Sequence, residues 1–264
     1  MTRPLPWYRE SFGADYLEVY AHRDDRQGLE QARDATRLLG LVPGARVLDV
    51  ACGAGRHTFA LRELGLDVTG MDLSIPLLRA ARHRARESGD EDIGFVRGDM
   101  RQLPFRDAFD AALSLFTSFG YFEDDEENAR VLRAIHSVLR PGGLYLLDFL
   151  NPELVVGTLE PRSEELREGR RIVQERSITA DGARVEKTIR ITPADPADPA
   201  DPGPVPERVF RESVRLYSRQ DIESMMARAS LEVIGVHGSF AGEAWEPASP
   251  RMIFSARRPE ESGS

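Results

Sequence analysis

The sequence predicts an α/β fold with a doubly wound sheet, and three observations carry that prediction. Short apolar runs alternate with helically periodic segments from residue 45 to residue 150. A glycine-rich turn separates the first run from the first helix, and three successive runs end in aspartate. Strands and helices that alternate in this way form parallel sheets with right-handed crossovers. The chain has 264 residues, of which 41% are hydrophobic, enough for one large domain with an elaboration.

The first predicted strand, 45–50, leads directly into a glycine turn and a helix at 56–65. This stretch reads Arg46-Val-Leu-Asp-Val-Ala-Cys-Gly-Ala-Gly-Arg-His57. Glycines let the backbone approach a ligand closely, and a helix start offers unpaired N–H groups. The third glycine of a dinucleotide fingerprint is replaced by Thr58, and no Gly-Lys-Ser/Thr follows. The turn therefore indicates a nucleotide-like pocket, but not one for a pyrophosphate or a triphosphate.

The next two predicted strands, 67–71 and 93–97, also end in a carboxylate, Asp72 and Asp99. Asp72 follows Asp49 by 23 residues, close to the roughly 20-residue offset at which an acidic group holds a ribose hydroxyl. Ligands of such sheets bind at the carboxyl ends of the strands, where all three aspartates fall. Each aspartate alone would also suit a helix or turn cap. Together they predict a nucleoside ligand that lacks phosphates.

The remaining elements of the core, 45–150, continue the alternation. They are helices at 75–87, with Ser74 as its N-cap, and 125–139, and strands at 109–115 and 143–149. The apolar residues of the helix at 125–139 have the spacing of a single buried face.

After residue 150 the pattern becomes that of an antiparallel β insertion, 151–218. Strands are predicted at 171–179 and 184–192, joined by the hairpin signal Ala180-Asp-Gly182, and at 208–217. The Pro-rich loop 193–206 precedes the last of these, and its Ala-Asp-Pro repeats favour extended chain that cannot pair in a sheet. We expect this loop to have no direct role.

Two segments flank these regions. The C-terminal segment, 219–258, reads as a helix at 219–229 followed by strands at 231–237 and 251–257, which complete the core sheet. The N-terminal segment, 1–44, is dense in aromatic residues and ends in a helix over 29–39. Its aromatic residues predict a lid over the ligand; the alternative is a staple that holds the N-terminus on the core.

The motifs at the strand ends resemble those of the class I S-adenosylmethionine-dependent methyltransferases. The sequence Leu139-Arg-Pro-Gly-Gly143 ahead of an apolar strand is a further hallmark of that family. The resemblance extends from about Trp7 to the final strand, with the insertion excepted. It implies a Rossmann-like, seven-stranded mixed sheet whose last strand is antiparallel, with the small antiparallel insertion added to it.

The resemblance also implies S-adenosyl-L-methionine as cofactor and a set of residues around it. The glycine turn of the family holds the methionine end, which corresponds to Asp49, Ala51, Gly53 and Gly55. The acid after the second strand binds the ribose, and the pair after the third strand contacts the adenine. The acid corresponds to Asp72, with Leu73 after it packing near the adenine, and the pair corresponds to Asp99 and Met100. Tyr16 and Leu115 are two further cofactor-binding candidates.

The acceptor should lie beside the segment after the fourth strand, Leu115-Phe-Thr-Ser-Phe-Gly-Tyr-Phe122. Family members that methylate amides or base nitrogens carry Asn/Asp-Pro-Pro-aromatic there, and this chain does not. The segment is similar to that of small-molecule N-methyltransferases, including those that act on amino sugars. Where some of those have a histidine, this chain has Tyr121, the catalytic candidate, which would orient an amine because a phenol is a poor base at neutral pH. His57 and His237 are weaker candidates.

Composition limits the partners. The net charge of −9 disfavours a nucleic-acid partner, since phosphate contacts require a basic surface. No histidine, cysteine and carboxylate residues have metal-ligand spacing, so we expect no metal.

The single cysteine, Cys52, excludes an internal disulfide and favours a reducing compartment. No apolar run is long enough to span a bilayer, and no secretion signal is recognisable. We expect a cytoplasmic protein without a membrane partner.

The sequence thus predicts methyl transfer from S-adenosyl-L-methionine to a small-molecule acceptor, with nitrogen favoured over oxygen. The alternatives are an RNA or protein methyltransferase, and a cofactor-binding module without turnover. In similar enzymes a β insertion covers the acceptor pocket or forms a dimer contact, so a homodimer through 151–218 is also an expectation.

Overall fold

A computed structural model describes residues 6–13, 25–167, 169–193 and 207–260. Tyr16, Tyr20 and residues 194–206 of the Pro-rich loop lie outside the described residues.

The core of the molecule is a seven-stranded mixed sheet. Its strands are β1 (Arg46–Val50), β2 (Asp67–Asp72), β3 (Gly94–Arg97), β4 (Phe109–Ser114), β5 (Leu139–Leu150), β10 (Glu232–His237) and β11 (Arg251–Arg257). Their order in space is β10-β11-β5-β4-β1-β2-β3, and β11 runs antiparallel to both of its neighbours. The predicted fold class is therefore confirmed.

Helices cover both faces of this sheet. They are α2 (Asp25–Leu39), α3 (Arg56–Glu63), α4 (Ile75–Ser88), α5 (Asp125–Val138) and α7 (Arg219–Arg228), with two short helices, α1 (Trp7–Glu10) and α6 (Pro152–Thr158). Successive side chains of a strand point to opposite faces. In β5, accordingly, Tyr145 and Leu147 join the apolar cluster that holds α5 and α7, whereas Leu146 joins the cluster that holds α2. A strand buried on both faces explains the almost continuous apolar sequence of β5.

A separate four-stranded antiparallel sheet follows the core, in the order β6-β7-β8-β9. Its strands are β6 (Arg162–Arg167), β7 (Arg170–Ile178), β8 (Arg184–Pro193) and β9 (Arg208–Arg215). The hairpin between β7 and β8 has the predicted position, with Ile178 opposite Val185. This small sheet lies within the predicted insertion.

Several boundaries differ from the sequence-based expectation. Elements α1, α6 and β6 are not predicted, and α2 begins at Asp25 rather than at 29. Strand β6 has no apolar alternation because it is an exposed edge strand rich in charge. Strand β5 begins at Leu139 rather than at 143, since Leu139 already pairs with Phe109 before an irregularity in the register at the Pro-Gly-Gly turn.

Candidate cofactor and acceptor site

The glycine turn after β1 is the floor of a cavity of about 310 Å³ at the carboxyl ends of the strands. Gly53 and Gly55 have φ of 58° and 87°, a left-handed conformation that glycine adopts without strain. Ala51, with φ of 59°, has the same conformation, which is uncommon for alanine. A Cβ on Gly55 would lie 2.8 Å from the Phe59 ring, so this glycine lets α3 pack closely behind the turn. A Cβ on Gly53 would meet only the Leu77 side chain, at 3.8 Å.

Asp49 lies almost fully buried in the cavity wall, 2% exposed. Its Oδ2 accepts a hydrogen bond from the Thr58 hydroxyl at 2.6 Å. Burial raises the pKa of Asp49 to about 7, the Thr58 hydrogen bond opposes that rise, and the charge of Asp72 adds to it. Asp49 is therefore a carboxyl group poised to ionise when a cation comes near.

Asp72 ties the end of β2 to the glycine turn. Its Oδ2 accepts from the Gly53 N–H at 2.8 Å, and its Oδ1 accepts from the Ser74 N–H at 2.7 Å. Burial raises the pKa of Asp72, and these backbone hydrogen bonds limit the rise. Each carboxylate oxygen has a second lone pair for a ligand hydroxyl.

Asp99, after β3, is paired with Arg101. The guanidinium donates from Nε at 3.0 Å and from Nη2 at 2.6 Å, a bidentate arrangement. Burial raises the pKa of Asp99, but the Arg101 hydrogen bonds and charge outweigh this, so the net pKa lies below its ordinary value. Arg101 itself stacks over the Phe122 ring at 4.3 Å.

The structure brings most of the predicted site residues to this one cavity. Those that line it are Asp49, Ala51, Gly53, Asp72, Leu73, Asp99, Met100, Leu115 and Tyr121. Gly55 is not among the lining residues, and Tyr16 lies outside the described residues. Their roles toward a ligand stay predictions.

The roof of the cavity is aromatic. Tyr8 and Phe12 come from the N-terminal segment, and Phe116, Tyr121 and Phe122 come from the loop after β4. Tyr121 packs against Phe12, with ring centroids 5.7 Å apart. The N-terminal segment is held there because Ser74 Oγ donates to the Phe12 carbonyl at 2.6 Å.

The loop after β4 is strained and firmly held. Phe116 and Thr117 both have φ of 58°, which is rare for side chains of this size. The buried Asp148 accepts from the Phe116 N–H at 2.8 Å, and its carbonyl accepts from the Thr117 N–H at 3.0 Å. Arg251 Nε donates to Asp148 at 2.7 Å and completes this support.

Arg184 of the small sheet holds the other end of the same loop. Its guanidinium donates to the carbonyls of Gly120, Tyr121 and Phe122 at 3.2, 3.2 and 3.0 Å. It also donates to the Ser213 carbonyl at 2.9 Å. Desolvation lowers the pKa of Arg184. The small sheet thus positions the segment that contains Tyr121.

Sequence reasoning does not identify Ser118. This residue lines the cavity, is 5% exposed, and its Oγ has no hydrogen-bond partner among the described residues. Buried hydroxyls are normally satisfied, so Ser118 offers a hydrogen bond to a ligand. The only signal in the sequence is its position in the loop after β4.

The other candidate residues contact neighbouring groups of the protein. His57 lines the cavity, but its Nε2 lies 2.8 Å from Gln31 Oε1 of α2. His237 Nδ1 lies 3.2 Å from the Gly242 carbonyl. Desolvation raises the pKa of the Cys52 thiol, and the nearby carboxylates add to the rise. The Cys52 side chain packs against an apolar cluster that includes Phe59 and Phe95.

A second cavity, of about 490 Å³, adjoins the first beneath the small sheet. Phe12, Phe116 and Tyr121 line both cavities. Lys187 and Glu212 are among the small-sheet residues of its wall. The two cavities therefore meet at three aromatic side chains.

Within the described ranges, no three histidine, cysteine or acidic side chains group closely enough to bind a metal ion. None of the helices there combines the length and apolarity needed to cross a bilayer.

Comparison with known proteins assigns this arrangement to a family. A family model described as "Methyltransferase domain" matches residues 47–143. The cypemycin N-terminal methyltransferase of a Streptomyces species is 32% identical over 216 residues, 81% of this chain and 84% of that protein. The dTDP-3-amino-3,4,6-trideoxy-alpha-D-glucopyranose N,N-dimethyltransferase of Streptomyces venezuelae is 28% identical over 191 residues, 70% of this chain and 78% of that protein.

Solved structures share the whole fold. The CcbJ methyltransferase from Streptomyces caelestis superposes with a TM-score of 0.78 at 20% identity, covering 94% of this chain and 98% of that one. The chain belongs to the S-adenosylmethionine-dependent methyltransferases. Its cofactor is S-adenosyl-L-methionine. The cavity fits that group, because it combines an open glycine turn with two buried carboxylates.

Proposed function

We propose that the protein transfers the methyl group of S-adenosyl-L-methionine to a nitrogen of a small-molecule acceptor, with oxygen as the second choice. The observation that carries this proposal is the junction of the two cavities at Phe12, Phe116 and Tyr121. One cavity has the acidic groups and glycine turn for the cofactor. The other, of about 490 Å³, has small-sheet residues in its wall and the volume of a small-molecule site.

In this proposal the residues of the first cavity bind the cofactor as the family resemblance implies. The glycine turn and Asp49 would hold the methionine end, and Asp72 would bind the ribose. Leu73, Asp99 and Met100 would contact the adenine. When bound, the cofactor supplies an electrophilic methyl group on a sulfonium. The aromatic roof favours that cation because π-faces attract positive charge.

The main task of the residues around the acceptor is to position its nitrogen, and acid–base catalysis is secondary. Methyl transfer is an in-line displacement, so holding the acceptor nitrogen in line supplies much of the acceleration. We assign that role to Tyr121, which borders both cavities, and to the unsatisfied Ser118 hydroxyl. No protein base is required when the amine arrives deprotonated.

The names of the two relatives support nitrogen as the methylated atom, since one is an N-terminal methyltransferase and the other an N,N-dimethyltransferase. An RNA acceptor is disfavoured by the net charge of −9.

The test begins with calorimetric titration of S-adenosyl-L-methionine and of its demethylated product. A panel of small amines and alcohols is then incubated with the cofactor, and mass spectrometry detects any product heavier by one CH₂ unit. We expect cofactor binding and methylation of amines. Binding without any product across the panel would instead favour a binding module.

Variants of the loop after β4 test the acceptor assignment. We expect Tyr121→Phe and Ser118→Ala each to lower kcat by about tenfold, the value of one hydrogen bond of about 1.4 kcal/mol. Cofactor affinity should change by less than about threefold. Equal turnover of wild type and both variants would remove these residues from the proposed mechanism.

Two further expectations concern the setting of the enzyme. We propose that the enzyme is cytoplasmic, because a chain with one cysteine forms no internal disulfide and suits a reducing compartment. Subcellular fractionation tests this location.

We also propose a homodimer that forms through the small sheet, whose edge strand β6 carries Leu166 with 68% exposure. Sedimentation velocity of the wild type and of Leu166→Glu tests that contact.

A further inference from the structure

The second cavity has a charged wall that the proposed function does not explain. Side chains alternate between the faces of a strand. On the face of the small sheet that borders the cavity, Arg176 of β7 pairs with Lys187 of β8, and Lys187 pairs with Glu212 of β9. All three line the cavity. Like charges directly opposite one another destabilise a sheet, so the pairing of Arg176 with Lys187 requires an explanation.

Ion pairs within the protein account for two of the three cations on this cavity. Lys187 Nζ lies 2.8 Å from Glu212 Oε2. Arg251 Nε lies 2.7 Å from Asp148 Oδ1. The positive charges of Lys187 and Arg251 are therefore balanced by carboxylates.

Arg176 differs, because its hydrogen bonds go to neutral oxygens. Its Nη1 donates to Ser163 Oγ at 3.0 Å, and its Nη2 donates to Gln174 Oε1 at 2.7 Å. Nη1 also reaches the Glu160 carbonyl at 3.4 Å. Among the residues that the structure describes, no carboxylate forms an ion pair with Arg176. Its side chain is half-buried and held in place on the cavity wall, where the exposed Glu160 offers it a backbone carbonyl and no ion pair.

We propose that the methyl acceptor carries an anionic oxygen group, a carboxylate or a phosphate, that binds at Arg176 beside Lys187. A guanidinium fixed by neutral partners is preorganised for an oxyanion, which it binds through charge-assisted hydrogen bonds. The acceptor then has its amine at Tyr121, where the cavities join, and its anionic group against the small sheet. This inference rests on the proposed function and narrows its substrate class to acidic amines.

The test uses inorganic phosphate and acetate as minimal probes, titrated separately into enzyme saturated with the demethylated cofactor. Arg176→Gln removes the cation. Arg171→Gln is the matched control, because Arg171 lies on the same strand but on the opposite face, where it pairs with Glu164. We expect wild type and Arg171→Gln to bind at least one probe equally, and Arg176→Gln to bind it about tenfold more weakly. Arg176→Lys keeps the charge but loses the planar fork, so its affinity should lie between those of wild type and Arg176→Gln.

The stronger probe identifies the acceptor's group as a phosphate or a carboxylate. Failure of the wild type to bind either probe would overturn the proposal, as would equal binding by wild type and Arg176→Gln. Cofactor titration and thermal unfolding of each variant separate these outcomes from misfolding. If Arg176→Gln binds the cofactor normally and binds the probe as well as wild type does, the anion site is refuted while the proposed methyl transfer stands.

Discussion

At the scale of single residues, the two buried carboxylates Asp49 and Asp72 have different surroundings and therefore different properties. Asp72 receives two backbone N–H groups, whereas Asp49 receives one hydroxyl and stands near the charge of its neighbour. The two hydrogen bonds to Asp72 hold the glycine turn against the end of β2. The surroundings of Asp49 leave a carboxyl group whose ionisation is sensitive to a bound cation.

Replacement of Asp72 tests its role toward the cofactor. We expect Asp72→Asn to weaken cofactor binding by about 10- to 100-fold, because hydrogen bonds to a charged group contribute about 1.5–3 kcal/mol. Asp67→Asn, an exposed change at the start of the same strand, is the control and should leave binding unchanged. Calorimetry measures both. Unaltered affinity in Asp72→Asn would show that the ribose is placed elsewhere.

Because the pKa of Asp49 is raised, we expect cofactor affinity to depend on pH. Its pKa in the free protein is about 7, and the ammonium of a bound methionine end would lower it. Below pH 7 binding must therefore release a proton, so affinity should rise by up to about tenfold per pH unit and level off above 7. In Asp49→Asn this dependence should vanish. Affinity that stays constant from about pH 5.5 to 7.5 in the wild type would contradict the prediction.

The same pKa has a consequence for stability. An aspartate whose pKa is raised on folding from 3.8 to about 7 favours the folded state most at low pH. That contribution is lost as pH rises through about 7. The free enzyme therefore retains Asp49 at a cost in stability at neutral pH, which is common for groups at functional sites.

At the scale of elements, the loop after β4 is held by parts of the chain that are distant in sequence. Asp148 of β5 supports its first residues, and Arg184 of β8 supports its last. The sequence predicts the position of this loop after a strand end. It does not predict Arg184, because one arginine among many carries no pattern that distinguishes it.

Arg184→Gln tests the coupling between the small sheet and the loop. Loss of several hydrogen bonds to buried carbonyls should lower the free energy of unfolding by about 2–3 kcal/mol and reduce kcat more than cofactor affinity. Arg190→Gln is the control, since Arg190 lies on the same strand in exposed ion pairs that contribute little. Urea unfolding and steady-state kinetics measure these effects. Full activity in Arg184→Gln would show that Tyr121 needs no such support.

At the scale of the whole molecule, the N-terminal segment joins the two sheets over the cavities. Ser11 Oγ donates to the Arg211 carbonyl of β9 at 2.6 Å, and the Phe12 carbonyl accepts from Ser74, the N-cap of α4. The two cavities are therefore bordered by three parts of the chain. A cofactor in the first cavity would contact the N-terminal segment and the core, and should stabilise the folded molecule.

This arrangement predicts a clear thermal effect of the cofactor. At a concentration of about 100 times its Kd, a ligand that binds only the folded state adds about 2.7 kcal/mol. For a chain of this size the melting temperature should rise by about 5–10 °C. Scanning fluorimetry with the demethylated cofactor measures the shift, and adenosine diphosphate is the control. An equal shift with the diphosphate would refute a site selective for nucleosides without phosphates.

The sequence by itself determined the order of strands and helices in the core, the glycine turn and the three acidic strand ends. These features depend on periodicity and on local backbone requirements, which are readable along the chain. Only the tertiary structure decided that Arg184 holds the loop with Tyr121 and that, within the part of the chain described, the Ser118 hydroxyl has no hydrogen-bond partner. It alone also placed Arg176 opposite Lys187 on a cavity wall. Such relations depend on register and on packing between distant segments, and no local pattern encodes them.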